Sequence, residues 1–136
     1  MLRTFAVAML AAVTFAGCDD DEPAGPVESA TFVIAVEDEQ FRVRIEDPAA
    51  IAEARSLITS GQSKNISGDI LRGANGINTG YSWHLKPATV EFADVTIELC
   101  DGMPSYVEEH VDYYVDTVKR YCPWGAKVVS EVSTQQ

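Results

Sequence analysis

The fold is decided by residues 31–61, TFVIAVEDEQFRVRIEDPAAIAEARSLITSG. Within this stretch, two β-rich runs, 31–36 and 40–45, flank the polar residues 37–39. In the second run, apolar side chains alternate with arginines. Because the side chains of a strand point alternately to its two faces, this pattern predicts a β-hairpin with one face in solvent.

The residues that follow the hairpin predict a helix with a marked start and end. Asp47 suits the N-cap position, and Pro48 suits the first helical position, where its missing N–H needs no partner. Gly61 suits the left-handed conformation in which many helices end. One side of the predicted helix is apolar and is expected to be buried: Ile51, Ala54, Leu57 and Ile58.

The middle of the chain is rich in glycine and contains short strand candidates. Residues 61–80 hold five of the nine glycines, so this region is predicted to be mostly loop around one strand at 66–71. Two further strands are predicted at 81–85 and 89–99. In the longer strand the apolar positions change parity at residues 93–94, which predicts a β-bulge there.

A second helix and a closing strand complete the predicted domain. Pro104, followed by Ser105 and Glu108, forms a capping-box pattern that predicts a helix start. Apolar residues then recur at helical spacing: Val107, Val111, Tyr114, Val115 and Val118. The closing strand is predicted at 126–132. Because helices and strands do not alternate regularly, we expect a single α+β domain at 31–132, an antiparallel sheet with two helices.

The N-terminus has the features of an export signal. Arg3 precedes a largely apolar stretch, 5–15, which is too short to span a bilayer, and two small residues follow it. The run FAGC at 15–18 resembles the bacterial lipobox. This resemblance implies that residues 1–17 are removed and that Cys18 is lipidated.

The segment after Cys18 predicts how the domain is held. Residues 18–30 are acidic and contain proline and glycine, which is typical of a solvated tether, and residues 133–136 form a short tail. We expect an exported protein, lipid-anchored through Cys18 to the inner or outer membrane of a bacterial envelope. A buried N-terminal helix with an incidental cysteine is the alternative. The 21 acidic against 10 basic residues, a net charge of −11, argue against a nucleic-acid partner.

Two cysteines remain once Cys18 is lipidated. Cys100 and Cys122 are expected to form a disulfide bond, because exported proteins meet oxidising conditions. The closed loop of about twenty residues is expected to contribute roughly 3 kcal/mol of stability. The alternative is a nucleophilic thiol, although no Cys-x-x-Cys pattern is present.

Signals for catalysis are sparse. The two histidines, His84 and His110, do not stand in a zinc-binding spacing, and the sequence has no calcium loop, nucleophile elbow or phosphate-binding loop. We therefore expect no metal, no cofactor and no enzymatic activity. The alternative is an envelope hydrolase in which His84 and a carboxylate, Glu91 or Asp94, act as an acid–base pair.

Aromatic residues are the candidates for binding. Tyr81, Trp83 and His84 follow the glycine-rich loop, and Trp124 follows the second paired cysteine. Exposed aromatics beside a loop suit a protein or a glycan partner, whereas burial of both tryptophans in the core is the alternative. One kind of non-catalytic binding module is a protease inhibitor, in which loop 73–80 would occupy the cleft of the protease.

Five motifs carry a family resemblance: FRVRIEDP at 41–48, YSWHLKP at 81–87, ELCD at 98–101, YVE at 106–108 and YCPW at 121–124. They are similar to those of a family of small secreted domains that occur in bacteria and as the N-terminal domain of a larger secreted slime-mould protein. The resemblance spans about residues 31–132. It implies one compact, disulfide-bearing α+β domain and supports the pairing of Cys100 with Cys122. It implies no catalytic residue.

Overall fold

The computed structural model describes residues 25–26 and 28–133. The predicted signal segment, the lipidation residue Cys18, most of the tether and all but Ser133 of the tail lie outside these residues. Within them the fold class is confirmed as α+β, with antiparallel sheets, helices and a close cysteine pair. No helix in the described part of the chain is long and apolar enough to cross a membrane.

The predicted hairpin is confirmed. Strands β1 (Ala30–Val36) and β2 (Glu39–Ile45) pair antiparallel, with Val36 opposite Glu39 at the turn. Strand β7 (Lys127–Glu131) pairs with the other edge of β1, which gives the sheet order β2-β1-β7. Alternate residues of β1 and β2 are buried, as the period-two pattern requires.

The first helix begins and ends where its capping residues predict. Helix α1 spans Pro48–Ser60, and the Asp47 carboxylate accepts a hydrogen bond from the Ala50 N–H at 3.2 Å. Gly61 adopts the left-handed conformation (φ 70°), and its N–H donates to the Leu57 carbonyl at 2.9 Å. The apolar side of the helix is buried through Ala50, Ile51, Ala54 and Leu57, and Ile58 is partly buried.

A second antiparallel sheet forms around strand β3 (Asn65–Arg72). Strands β4 (Trp83–Leu85) and β5 (Glu91–Ala93) pair with the two ends of β3, and β6 (Arg120–Tyr121) pairs with its middle. The sequence predicted one sheet, whereas the strands divide between two. The division follows from α1, which leads the chain away from the hairpin, so that β3 pairs with later segments.

The predicted strand at 89–99 is wrong beyond Ala93. A 3-10 turn (Pro87–Thr89) precedes β5, and a second one (Glu98–Cys100) closes the segment. Since Ala93 is paired with Asn65, the first residue of β3, the sheet offers no partner strand to the residues beyond it. The change of parity at 93–94 therefore marks the end of a strand and not a bulge.

The second helix begins as predicted, but the capping box is wrong. Helix α2 spans Pro104–Glu109. The Ser105 N–H and hydroxyl both donate to the Glu39 carboxylate, at 2.7 and 2.6 Å. The Glu108 carboxylate accepts from the Ser82 N–H at 2.9 Å. Both side chains thus connect α2 to neighbouring elements instead of capping it.

The region after α2 continues as a short helical turn. Helix α3 (Val111–Tyr113) leads into a π-helical turn (Tyr114–Val118), which ends at Lys119 with φ 64°. Valines and tyrosines are only moderate helix formers, which agrees with this early departure from regular α-helix.

The two sheets share one core. Phe41 of the first sheet packs against two rings of the second, Trp83 and Tyr121, with ring centroids 5.5 Å away in each case. Trp83 and Tyr121 are themselves 5.2 Å apart and fully buried. This aromatic cluster packs the two sheets against each other.

Candidate functional site

The disulfide pairing is confirmed at the level of distance. The Cα atoms of Cys100 and Cys122 are 5.1 Å apart, and both residues are buried. The Cys122 N–H also donates to the Cys100 carbonyl at 2.8 Å. The pair joins the 3-10 turn after β5 to the segment after β6.

A groove of about 360 Å³ lies beside this bond, and both cysteines line it. We call it the disulfide groove and define it by Val95, Ile97, Leu99, Val118, Arg120 and the two cysteines. Val95 is 83% exposed, Ile97 66% and Leu99 58%. Three strongly exposed aliphatic side chains within five residues form an unusual apolar patch on so acidic a chain.

Part of the groove is lined by an ion-paired arginine. The Arg120 guanidinium donates to Asp69 at 3.2 Å and to the Ser67 hydroxyl at 2.8 Å, and it also pairs with Glu91. Ser67 is buried, and Ser67 and Glu91 also line the groove. The network fixes these polar groups beside the aliphatic side chains, so that the groove combines apolar contact with oriented hydrogen-bonding groups.

Of the four predicted binding residues, two lie in the interior. Trp83 is fully buried, and His84 is 5% exposed. Tyr81 is partly buried, and its hydroxyl donates to the Gln40 carbonyl at 3.0 Å. Trp124 is 46% exposed. The core-packing alternative therefore holds for Trp83, because Phe41 and Tyr121 enclose its indole ring. Trp83 and His84 offer little surface to a partner, whereas Trp124 stays a predicted binding residue.

The three groups of the hydrolase hypothesis have other partners. Nδ1 of His84 lies 2.6 Å from the Gly73 carbonyl oxygen. Glu91 pairs with Arg120, and Asp94 lies 3.6 Å from the Lys64 ammonium. Among the hydrogen bonds of the described residues, none joins His84 to either carboxylate, so the geometry gives this hypothesis no support.

The glycine-rich loop is held to the body of the domain at its centre. Ile77 and Asn78 are buried. The Asn78 side chain accepts from the Arg42 N–H at 2.9 Å and donates to the Trp83 carbonyl at 3.0 Å. The middle of loop 73–80 is therefore not exposed, and the protease-inhibitor form that uses this loop gains no support from the structure.

Two buried tyrosines support the chain just after Cys100. The Tyr114 hydroxyl donates to the Asp101 carbonyl at 2.5 Å, and the Tyr121 hydroxyl donates to the Gly102 carbonyl at 2.8 Å. Burial raises the pKa of Tyr114 to about 12 and also raises the pKa of Tyr121, because the phenolate loses its hydration. Both hydroxyls therefore remain donors far into the alkaline range.

Of the groove-lining residues, sequence reasoning identifies only the two cysteines and Glu91 as candidates. The sequence pattern predicts a strand for Val95, Ile97 and Leu99, and Arg120 stands in no motif. One sequence feature points to the groove: from residue 95 onward the apolar residues occupy the other set of alternate positions, and this apolar run ends directly before Cys100. In the described part of the chain, no group of three or more His, Cys, Asp or Glu residues is placed to hold a metal ion.

Comparison with known proteins identifies a domain family. A family model described as the BP-74 N-terminal domain matches residues 28–135. No curated protein and no solved structure matches the chain. The matched residues include both paired cysteines, the groove and the whole described core.

Proposed function

The chain belongs to the BP-74 N-terminal domain family, and from that premise we propose that it is a non-catalytic interaction module held at a bacterial membrane by a lipidated Cys18. The family is a small domain that forms the N-terminal part of a larger protein. Membership in a domain family does not by itself define a function, so the proposal rests on the residues of the site. The proposed partner is an envelope protein.

The anchor is supported by the N-terminal sequence. Arg3, the apolar stretch 5–15 and FAGC at 15–18 together form the pattern of an exported lipoprotein. The family match begins at residue 28, and in this proposal the acidic residues between Cys18 and that point form the tether between lipid and domain. Two or more acyl chains on one residue hold a protein stably at a membrane.

The observation that carries the binding proposal is the disulfide groove. Val95, Ile97 and Leu99 expose aliphatic surface, and burying one such side chain against a partner contributes roughly 1.5 kcal/mol or more. The proposed occupant is a polypeptide segment with an aliphatic side chain. Lipid is the less suitable occupant, because Asp94 and Glu98 alternate with the aliphatic residues and oppose contact with anionic headgroups.

Site-specific photocrosslinking tests this proposal in cells. A photoreactive phenylalanine analogue replaces Ile97 in the full-length protein, and the same analogue at Val129 is the control. Val129 is also an exposed aliphatic residue, 42% accessible, but it lies on β7 and does not line the groove.

A discrete protein adduct is expected from position 97 and not from position 129, and Leu99→Asp is expected to abolish it. Lipid adducts alone, or equal protein adducts from both positions, would contradict a protein partner at the groove.

A protease-inhibitory mode is a second candidate, favoured by the exposed segment 94–99. It follows strand β5 at one end and reaches the disulfide bond at the other, and Ile97 has an extended backbone (φ −91°, ψ 150°). An exposed extended segment with anchored ends suits a protease cleft. Inhibition of an elastase-like protease, lost in Ile97→Asp and retained in Val129→Asp, is the expected result. Cleavage without inhibition would exclude this mode.

A further inference from the structure

A second cavity is lined by residues that follow the two paired cysteines in the sequence. Asp101 directly follows Cys100, and Trp124 comes two residues after Cys122. The cavity encloses about 340 Å³ and is lined by Val36, Glu37, Asp101, Gly102, Met103 and Trp124. We call it the Trp124 cavity. It shares no lining residue with the disulfide groove, so it constitutes a separate site.

The Trp124 cavity has acidic groups without a cationic partner. Among the residues that the structure describes, no lysine or arginine forms a salt bridge with Glu37 or Asp101. Other acids of the described residues, such as Asp38 and Glu98, also form no salt bridge, but Glu37 and Asp101 are the two that line this cavity. Two carboxylates that line one cavity without compensation give it a negative potential.

The backbone around the cavity is held in place before any ligand arrives. The Asp101 carboxylate accepts the backbone N–H of Trp124 at 2.8 Å, through one of its two oxygens. The carbonyl of Asp101 is fixed by the Tyr114 hydroxyl, and that of Gly102 by the Tyr121 hydroxyl. A ligand would therefore meet a site whose backbone needs little reordering.

We propose that the Trp124 cavity binds an organic cation, an alkylammonium or guanidinium group. A cation over an indole face is attracted by the negative face of the ring, and tryptophan is the best aromatic residue for this contact. Carboxylates at Glu37 and Asp101 accept N–H donors or neutralise a quaternary ammonium. The Met103 thioether and Val36 supply apolar contacts for the attached alkyl groups.

A neutral sugar ring fits this site less well than a cation. It would contact the indole face, but it would leave both carboxylates without a counter-charge. The cation has two sources, a free small molecule or a lysine or arginine side chain of a protein. This proposal does not rest on the disulfide groove, and either can fail without the other.

The test follows the indole N–H signal of Trp124 in ¹⁵N-labelled full-length protein, assigned by its loss in Trp124→Phe. The probes are tetramethylammonium, the peptide acetyl-Ala-Lys-Ala-amide and N-acetylglucosamine. We expect saturable shifts with both cationic probes and none with the sugar. Tighter binding of the peptide would identify a protein side chain as the source, and tighter binding of tetramethylammonium a free cation.

Variants separate the cavity from the general acidity of the chain. Glu37→Gln and Asp101→Asn keep the shape of each side chain, and each is expected to weaken binding of the cationic probes about tenfold. Asp38→Asn removes an exposed charge from the neighbouring position and should leave binding unchanged. Equal weakening in Asp38→Asn, no saturable shift with either cation, or an equal response to the sugar would overturn the proposal.

Discussion

A Cβ atom on Gly102 would lie 2.6 Å from the hydroxyl oxygen of Tyr114. The same hydroxyl donates to the Asp101 carbonyl at 2.5 Å, so it cannot move without losing that bond. Gly102 also has a φ of 152°, which side-chain-bearing residues rarely adopt. The Tyr114 ring thus fills the space next to Gly102 and fixes the chain between the disulfide bond and α2.

Gly102→Ala is expected to destabilise the protein by about 2 kcal/mol, because the added methyl group overlaps the Tyr114 hydroxyl. Urea unfolding measures the free energy. The control is the double variant Gly102→Ala with Tyr114→Phe, which removes the obstructing oxygen. The alanine should cost about 1 kcal/mol less in that background. The same cost in both backgrounds would mean that the strain comes from φ alone.

Alkaline pH is expected to destabilise the fold between about pH 10 and 12. Burial raises the pKa of Tyr114 to about 12, above its usual value of 10.0. The unfolded chain therefore loses this proton first, so the stabilisation is complete below pH 10 and disappears as pH rises toward 12. Tyr121, whose pKa burial also raises, acts in the same direction.

Absorbance at 295 nm follows tyrosinate formation, and urea unfolding at pH 8 and pH 11 follows stability. Tyr121→Phe should reduce the difference in stability between the two pH values, whereas Tyr113→Phe, at a half-exposed ring, is the control. A pH-independent stability over this range would contradict the burial of these phenols.

Removing the disulfide bond is expected to cost about 3 kcal/mol, because the bond closes a loop across 22 residues of sequence. The variant is Cys100→Ala with Cys122→Ala, and the measurement is urea unfolding. Cys18→Ser is the control, since it removes a cysteine outside the pair. Mass spectrometry of wild-type protein recovered from the cell envelope of a bacterial host, after alkylation without reduction, should find Cys100 and Cys122 unmodified. Two alkylated thiols would contradict the bond.

The elements that sequence predicted well are those set by neighbouring residues. Asp47 and Gly61 cap α1 through contacts within four residues, and the alternation in 40–45 defines its own buried face. The failures involve distant partners. Ser105 bonds to Glu39, which is 66 residues away, and strand β5 stops because β3 begins at Asn65.

The candidate sites could not be predicted for the same reason. Arg120 meets Asp69 and Glu91 across strand pairings whose register no local pattern encodes. Trp83 and Trp124 are alike in sequence, each beside a loop or a cysteine, yet one is enclosed and the other is half exposed. Tertiary packing alone decides between them.

Substitution of the two tryptophans should have very different effects on stability. Trp83→Ala is expected to cost about 4 kcal/mol, because it leaves a cavity among Phe41, Tyr81 and Tyr121. Trp124→Ala should cost only about 1 kcal/mol, because almost half of the Trp124 side chain is already in solvent. Chemical denaturation followed by circular dichroism measures both variants.

Trp83→Phe provides a matched variant. The Trp83 indole N–H is buried without a hydrogen-bond partner among the described residues, so phenylalanine removes an unpaired donor while it keeps an aromatic ring. We expect Trp83→Phe to be at least about 2 kcal/mol more stable than Trp83→Ala. Equal losses in Trp83→Ala and Trp124→Ala would contradict the assignment of core and surface.

Lipidation of Cys18 is expected to hold the protein at a membrane. In a bacterial host, the wild-type protein should incorporate labelled palmitate and sediment with membranes, because two or more acyl chains bind a bilayer stably. Cys18→Ser should lose the label, since the residue at the proposed acylation position no longer has a thiol. Cys100→Ser controls for a general effect of losing a cysteine and should keep the label. If Cys18→Ser is still labelled, or the wild type is not, the domain is held at the envelope by another means or not at all.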